Sequence, residues 1–270
     1  MPNSSHESLR VALWHEEAAN LLVAARRQEM QLERLPVELR PSTVDEGFAI
    51  QRKVSDVLER RIGAWKCALP LAGKVIAAPI YADLIYRTVE CRFSAGSVQS
   101  SVKAEPEIAC FLKRDLPPRR HAYGEAEVLD ALGNVYVALE LLGSRYSHPA
   151  SLTFPELLAD GLFNAGLVIG PRVDFIGGVR PDDIPAEFTI SLTAAGETPV
   201  SLEGRHPDGN VLSPIVWLAN FLRERGLGLQ AGQAVITGSY AGVLELPLDH
   251  QLHIGFGALG ILPIRFLSSK

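Results

Sequence analysis

Residues Val102 to Pro117 read VKAEPEIACFLKRDLP, with Glu105 and Glu107 on either side of Pro106 in an otherwise apolar run. On a strand successive side chains point to opposite faces. Glu105 and Glu107 therefore share a face with Lys103, Ala109 and Phe111, while Ala104, Pro106, Ile108, Cys110 and Leu112 make an apolar opposite face. Proline donates no ladder hydrogen bond, so the strand is expected to be an edge strand or bulged at Pro106. Two ionised carboxylates side by side stay charged only if water, a cation or a basic group compensates. Two readings stand at this point: a solvated edge, or a cation site.

A third acid bears on the choice. Glu140 lies in YVALELLGSRY, whose apolar run Val135–Leu142 reads as a strand buried on both faces. A charge in such a place needs a partner. Arg145 is one candidate and a shared cation the other. Three carboxylates and water suit a hard ion, Mg²⁺ or Mn²⁺. Zinc prefers His and Cys. His250 and His253 fall on opposite faces of a strand and do not form a metal pair. Lys66, in GAWKCALP, stands in a short apolar strand. It is either a snorkelling surface lysine or a proton shuttle beside the acids. Asp83, in PIYADLIY, either caps a turn or orients Lys66.

Around these segments the chain changes texture once. Trp14, Ala18, Leu21, Leu22 and Ala25 follow helical spacing. Thr43 and Glu46 form a capping box before a helix with the stripe Ile50, Val54, Val57 and Leu58, expected to stop near Gly63. Beyond Gly63 come short extended pieces: Ala64–Leu69, Ala77–Tyr86, Ser97–Leu112 and Ala165–Ile169, with short helices at Glu125–Leu132 and Pro155–Ala159. Ser213-Pro214 is expected to cap and start a helix lined by Ile215, Leu218 and Leu222 and ended by Gly226. The tail from Gln233 reads as strands. Helices early and strands late, without βαβ alternation, predict an α+β fold. The expected organisation is a helical region, 1–62, and a catalytic region, 63–270, in one structural unit.

Composition narrows the function class. The 270 residues are 47% hydrophobic and 21% charged, as in an ordinary soluble protein. A net charge of −5, with no long basic tract, argues against nucleic acid as partner. Cys67, Cys91 and Cys110 show no CxxC spacing and suit a reducing compartment. No signal peptide or membrane span is read, because the longest apolar run, Ile254–Ile264, is well short of about 20 residues. A cytoplasmic protein without a membrane partner is expected.

Taken together, these segments resemble the fumarylacetoacetate hydrolase superfamily, and within it the 2-oxopent-4-enoate hydratase and 4-oxalocrotonate decarboxylase branch of meta-cleavage aromatic catabolism. The resemblance runs from about Val44 to the C-terminus. It is carried by KAEPEIACFLKRDLP, ALELLGSRY, GAWKCALP, YADL and SPIVWLANFLRERGLGLQAGQAVITGS, in that family's order. It implies a mixed β-roll with flanking helices, and Mg²⁺ or Mn²⁺ on Glu105, Glu107 and Glu140. It also implies Lys66 as the proton-transferring lysine, Asp83 as its partner and a 2-oxo acid substrate. Relatives assemble into oligomers, so a homo-oligomer is expected, with a partner enzyme of the same pathway as a further expectation. Gly238-Ser239 is expected to line the substrate pocket.

The implied activity is a hydratase adding water to a 2-hydroxy-2,4-dienoate to give a 4-hydroxy-2-oxo acid. The alternatives are a decarboxylase of the 4-oxalocrotonate type, a C–C bond hydrolase, or a non-catalytic partner subunit. A hydrolase needs a general base, and only His148 falls near a motif. The chain departs from the family at Ala68-Leu69-Pro70, Asp160–Phe163, Gly209–Val211 and Gly232-Gln233, all in substrate-side loops.

Overall fold

A computed structural model describes residues 4–92, 101–174, 180–194 and 198–268, with side chains from residue 13 onward. In chain order the elements are α1 Ser4–Arg27, α2 Val44–Leu58, β1 Ile62–Leu71, β2 Lys74–Tyr81, β3 Ile85–Tyr86, β4 Glu90–Arg92, β5 Ser101–Leu112, α3 Glu125–Ala131, β6 Leu132–Leu142, α4 Phe154–Ala159, β7 Asn164–Arg172, β8 Glu187–Ala194, β9 Val200–Arg205, α5 Leu212–Glu224, β10 Ala234–Ile236, β11 Leu244–Pro247, β12 Leu252–Phe256 and β13 Ile261–Leu267. The expected α+β class holds. The expected extended piece from Ser97 begins at residues that lie outside the described ones, and its described part is β5.

The larger sheet runs β2-β1-β10-β5-β6-β7-β3, with β11 also paired to β5. It curls until β2 approaches β7. Small side chains make the tight curl sterically feasible: Ala64, Ala109, Ala138 and Ala234 fill its interior with Ile80, Leu167, Ile169 and Ile236. The outer face packs the main core, including Ile108, Cys110, Val137 and Leu139, against α5 residues Ile215, Leu218 and Leu222. A second sheet, β4-β13-β12-β8-β9, closes one side.

The N-terminal helices are fastened to the roll. Gln51 donates from its amide to the carbonyls of Ala77 and Leu158, at 3.2 and 2.7 Å. A Cβ on Gly47 would sit 2.5 Å from the Pro155 carbonyl, so α2 can approach α4 this closely only with glycine there. The Thr43–Glu46 capping box forms as expected. The helix stops at Leu58, where Glu59 turns left-handed at φ 53°, and Gly63 already belongs to β1.

Two local expectations are corrected. β5 is neither an edge strand nor bulged at Pro106: β6 pairs along one side, and β10 and β11 cover residues 109–111 and 101–104 on the other. Pro106 falls in the gap between β10 and β11, where its missing N–H breaks no ladder bond, and its carbonyl accepts from Tyr240 N at 2.9 Å. At the start of α5, Ser213 lies inside the first turn, and its N–H is capped by Asn210 Oδ1 at 2.8 Å. Strands β8 and β9 had no counterpart in the sequence reading.

Candidate metal centre

The curl brings one face of three strands, β1, β5 and β6, to a common point. Alternation places Lys66 with Ala64, Glu105 and Glu107 with Ala109, and Glu140 with Ala138, all facing the roll interior. Strand register completes the convergence, because Glu105 is the direct cross-strand partner of Glu140. One carboxylate oxygen from each of Glu105, Glu107 and Glu140 lies within 4.8 Å of the others. The three acids predicted from sequence therefore form one cluster.

Each acid is held differently. Glu107 is 1% exposed and accepts from the Gly238 N–H at 2.7 Å. Glu140 is fully buried, and its Oε1 accepts from Lys66 Nζ and Asn164 Nδ2, both at 2.8 Å. Its Oε2 is buried with no hydrogen-bond partner among the described residues. An orphaned buried carboxylate oxygen is costly unless something absent from protein atoms completes it. Glu105 is partly exposed.

The electrostatics are those of an uncompensated cluster. Burial, then the neighbouring Glu140 charge, pushes the Glu107 carboxyl well above the ordinary range, against Lys66 and the Gly238 N–H. Burial and Glu140 also raise Glu105, with Lys66 opposing. Burial disfavours charge on Lys66, but Glu140, Glu105 and Glu107 outweigh it and hold the ammonium above its usual value. Three carboxylates against one ammonium leave two negative charges. A divalent cation has the matching charge, and an all-oxygen donor set fits Mg²⁺ or Mn²⁺.

Lys66 is therefore no snorkelling lysine. Its side chain is 12% exposed, and its Nζ also donates to the Leu162 carbonyl at 3.1 Å. That carbonyl is delivered by an unusual turn in which Leu162 and Phe163 both take positive φ, 52° and 67°. Two successive non-glycine residues there store strain, a feature that concentrates at functional sites. Asp160 anchors the turn between Arg145 Nε at 2.7 Å and Arg26 Nη2 at 3.2 Å. Arg145, the alternative partner for Glu140, is thus committed to Asp160.

Asp83 is not brought to Lys66. It sits in a short 3-10 turn after β2, half-exposed, with Arg60 Nε 3.3 Å from its carboxylate. The turn directs it outward, and Glu140 and Leu162 take the place expected of it. Ser239 lies beside Gly238 in the turn that holds Glu107, and its Oγ donates to the Gly242 carbonyl at 2.9 Å. His148 is exposed on the surface and offers no base to the cluster. Sequence reading missed Asn164, the Gly238 N–H and the Leu162 carbonyl. It also missed His206, buried with Nε2 2.9 Å from Thr237 Oγ1, in a loop whose Pro207 packs on Gly238.

No family model matches the chain. The 2-keto-4-pentenoate hydratase 1 of Dechloromonas aromatica (strain RCB) is 26% identical over 258 residues, spanning 91% of this chain and 94% of that relative. Among solved structures, the 4-oxalocrotonate decarboxylase from Pseudomonas putida G7, complexed with magnesium and adipate, matches with a TM-score of 0.74 at 17% identity. The match covers 96% of this chain and 98% of that one. A fumarylacetoacetate hydrolase family protein from Yersinia pestis CO92 matches at 0.54 and 20% identity, over 77% of this chain and 94% of its own. The expected resemblance holds in fold and, at low identity, in sequence.

Proposed function

From a chain with the fold of the fumarylacetoacetate hydrolase superfamily and sequence similarity to 2-keto-4-pentenoate hydratases, we propose a divalent-metal-dependent hydratase. It adds water to a 2-hydroxy-2,4-dienoate, or its 2-oxo-4-enoate tautomer, and yields a 4-hydroxy-2-oxo acid. The observation that carries this reading is the cluster of Glu105, Glu107 and Glu140, the last two buried, with a Glu140 oxygen that has no hydrogen-bond partner among the described residues and with Lys66 at its edge.

Glu105, Glu107 and Glu140 would hold Mg²⁺ or Mn²⁺. Bound there, the ion supplies Lewis-acid stabilisation of negative charge building on a 2-oxo oxygen. The chain's own groups supply the rest. Lys66 is kept charged by the acids and oriented by Glu140 and the Leu162 carbonyl. Among the described residues it is the one ammonium bonded to the cluster, and it carries the proton transfer between dienol and ketone carbon. Asn164 fixes the Glu140 carboxylate through Oε1, and Oε2, without a hydrogen-bond partner among the described residues, would be available to the ion. Gly238 fixes Glu107, and the adjoining Ser239 is the proposed substrate contact. Asp83 is left outside the machinery. A cytoplasmic homo-oligomer fits this chemistry, and no described helix is long and apolar enough to cross a membrane.

A decarboxylase would use the same cluster with a second carboxylate to accommodate. The discriminating experiment adds 2-hydroxypenta-2,4-dienoate to protein with Mg²⁺ and follows loss of dienol absorbance, then assays 4-oxalocrotonate for CO₂ release. Dienol loss that stops with chelator and with Glu107→Gln supports the hydratase. Turnover unchanged by both refutes the metal reading, and no turnover on any dienoate points to a non-catalytic partner subunit.

A further inference from the structure

Glu107 is held by a backbone N–H, and that N–H belongs to the peptide between Thr237 and Gly238. It donates to Glu107 Oε2 at 2.7 Å. Gly238 takes φ +118°, and a glycine backbone is too permissive to keep such a direction by itself. Its neighbours must hold it. On the C-terminal side Tyr240 N donates to the Pro106 carbonyl at 2.9 Å, which ties the turn to β5 beside Glu107. On the N-terminal side the turn is held at Thr237, whose side chain is bound to His206.

His206 and Thr237 are each 1% exposed, and Nε2 lies 2.9 Å from Oγ1. The direction of this bond follows from the other ring nitrogen. Asp208 N–H donates to His206 Nδ1 at 3.1 Å. Nδ1 therefore carries a lone pair, and the proton of the neutral imidazole sits on Nε2. His206 donates and Thr237 Oγ1 accepts. Burial outweighs the nearby Asp208 charge and holds the imidazole below its ordinary value, which keeps this neutral form at neutral pH.

The histidine is itself fixed from several sides. Its backbone N–H donates to the Ala186 carbonyl at 2.8 Å, and Arg205 N donates to the Tyr240 carbonyl at 2.8 Å. Its ring meets Tyr240 edge-on, with centroids 5.3 Å apart. Pro207 occupies the space beside Gly238, where a Cβ would fall 2.6 Å from its Cγ. Asp208 Oδ2 accepts from Leu69 N–H at 2.9 Å, on the strand that carries Lys66. His206-Pro207-Asp208 thus bridges the lysine strand and the turn that holds Glu107. On the metal reading given above, we propose that His206 is a positioning residue for Glu107. Through Thr237 it sets the plane of the Thr237–Gly238 peptide, and so the aim of the Gly238 N–H. Groups that orient metal ligands in this indirect way are worth about 10–100-fold in metal affinity.

Two substitutions separate the two ring nitrogens. In His206→Gln the amide NH₂ falls near the place of Nε2 and keeps a donor for Thr237. In His206→Asn the Oδ1 takes the place of Nδ1 and keeps the Asp208 bond, but no donor reaches Thr237. The first readout is the NMR shift of the Gly238 amide proton in metal-free protein made with isotope-labelled glycine. Its short bond to Glu107 places that proton downfield. It is expected to move upfield in His206→Asn and to stay in place in His206→Gln. The second readout is calorimetric titration with Mg²⁺. His206→Asn is expected to weaken binding about tenfold, and His206→Gln to restore it to within about threefold of the wild type. Thr237→Val, which removes the acceptor, should match His206→Asn, and the double variant should lose no more than either single one. Where His206→Asn does not fold, Thr237→Val decides on the same two readouts. An unmoved Gly238 amide with Mg²⁺ affinity within about twofold of the wild type, or equal losses in His206→Asn and His206→Gln, overturns the role of His206 and leaves the metal reading intact. Wild-type protein that binds neither Mg²⁺ nor Mn²⁺ overturns the metal reading, and the proposal falls with it.

Discussion

Replacing Glu107 with glutamine should make the metal-free protein more stable and abolish its response to magnesium. The substitution is nearly isosteric, and glutamine's Oε1 still accepts from Gly238, whose N–H lies 2.7 Å from Glu107 Oε2. What it removes is a buried charge whose oxygen lies within 4.8 Å of one on Glu140 and one on Glu105. Two like charges at that distance repel by about 3.5 kcal/mol at an effective dielectric of 20. Lys66 offsets much of that, so a net gain on the order of 1 kcal/mol is expected, or about 2–4 °C in Tm. The wild type gains about 2.7 kcal/mol from Mg²⁺ at a hundred times its Kd, whereas the variant gains almost nothing. The pH dependence has a definite sign. Glu105 and Glu107 are raised in the folded protein. Their contribution is therefore fully present below the ordinary carboxylate pKa and is lost as pH rises through the raised values. Magnesium reverses that loss, so its Tm shift should grow with pH. Differential scanning calorimetry with and without Mg²⁺ at pH 5 and pH 8 checks both. A metal-free Glu107→Gln protein that melts lower than the wild type, yet keeps its magnesium shift, refutes the reasoning.

Lys66→Met removes the ammonium beside buried Glu140. It should cost the metal-free fold about 3–5 kcal/mol, read by urea denaturation, and lower kcat by about 10²–10⁴. Gly238→Ala puts a Cβ 2.6 Å from Pro207 Cγ at φ +118°, which displaces the N–H from Glu107; Mg²⁺ affinity should fall about tenfold by calorimetry. Asp83→Asn disturbs only the surface pair with Arg60, so kcat/KM for the dienoate should stay within about threefold. A hundredfold loss would restore Asp83 to the machinery.

The ligand set was legible in part because its signal is local. Two glutamates at strand period and a third in an apolar run raised the question locally, but that pattern left a solvated edge and an Arg145 partner open, and the resemblance of the surrounding motifs singled out the cation reading. The groups that orient those acids were not legible, for a physical reason. The Gly238 N–H and the Leu162 carbonyl are backbone atoms, which carry no side-chain signature; the positive φ values at Gly238, Leu162 and Phe163 that aim them are set by the fold. Asp83 misled because a turn of 3-10 helix faces its side chain outward, and sequence spacing carries no information about that rotation. Strands β8 and β9 were readable. In EFTISLTA, Phe188, Ile190 and Leu192 alternate with Glu187, Thr189, Ser191 and Thr193, the ordinary pattern of a half-buried strand.

The energetics of the cluster also separate an enzyme from a scaffold that merely kept the fold. Replacing a buried ionic group by packed apolar side chains is often neutral or stabilising by about 1–4 kcal/mol. The roll interior already shows what such packing looks like, with Ala109 and Ala138 one step inward from Glu107 and Glu140 on the same strands. A chain selected only for this architecture gains nothing from three acids that repel one another, or from a glutamate oxygen with no donor among the described residues. It gains nothing from two left-handed residues spent on aiming a carbonyl at one lysine either. These costs fall on one point, and a divalent ion held there, as proposed above, would offset the repulsion and the missing donor together.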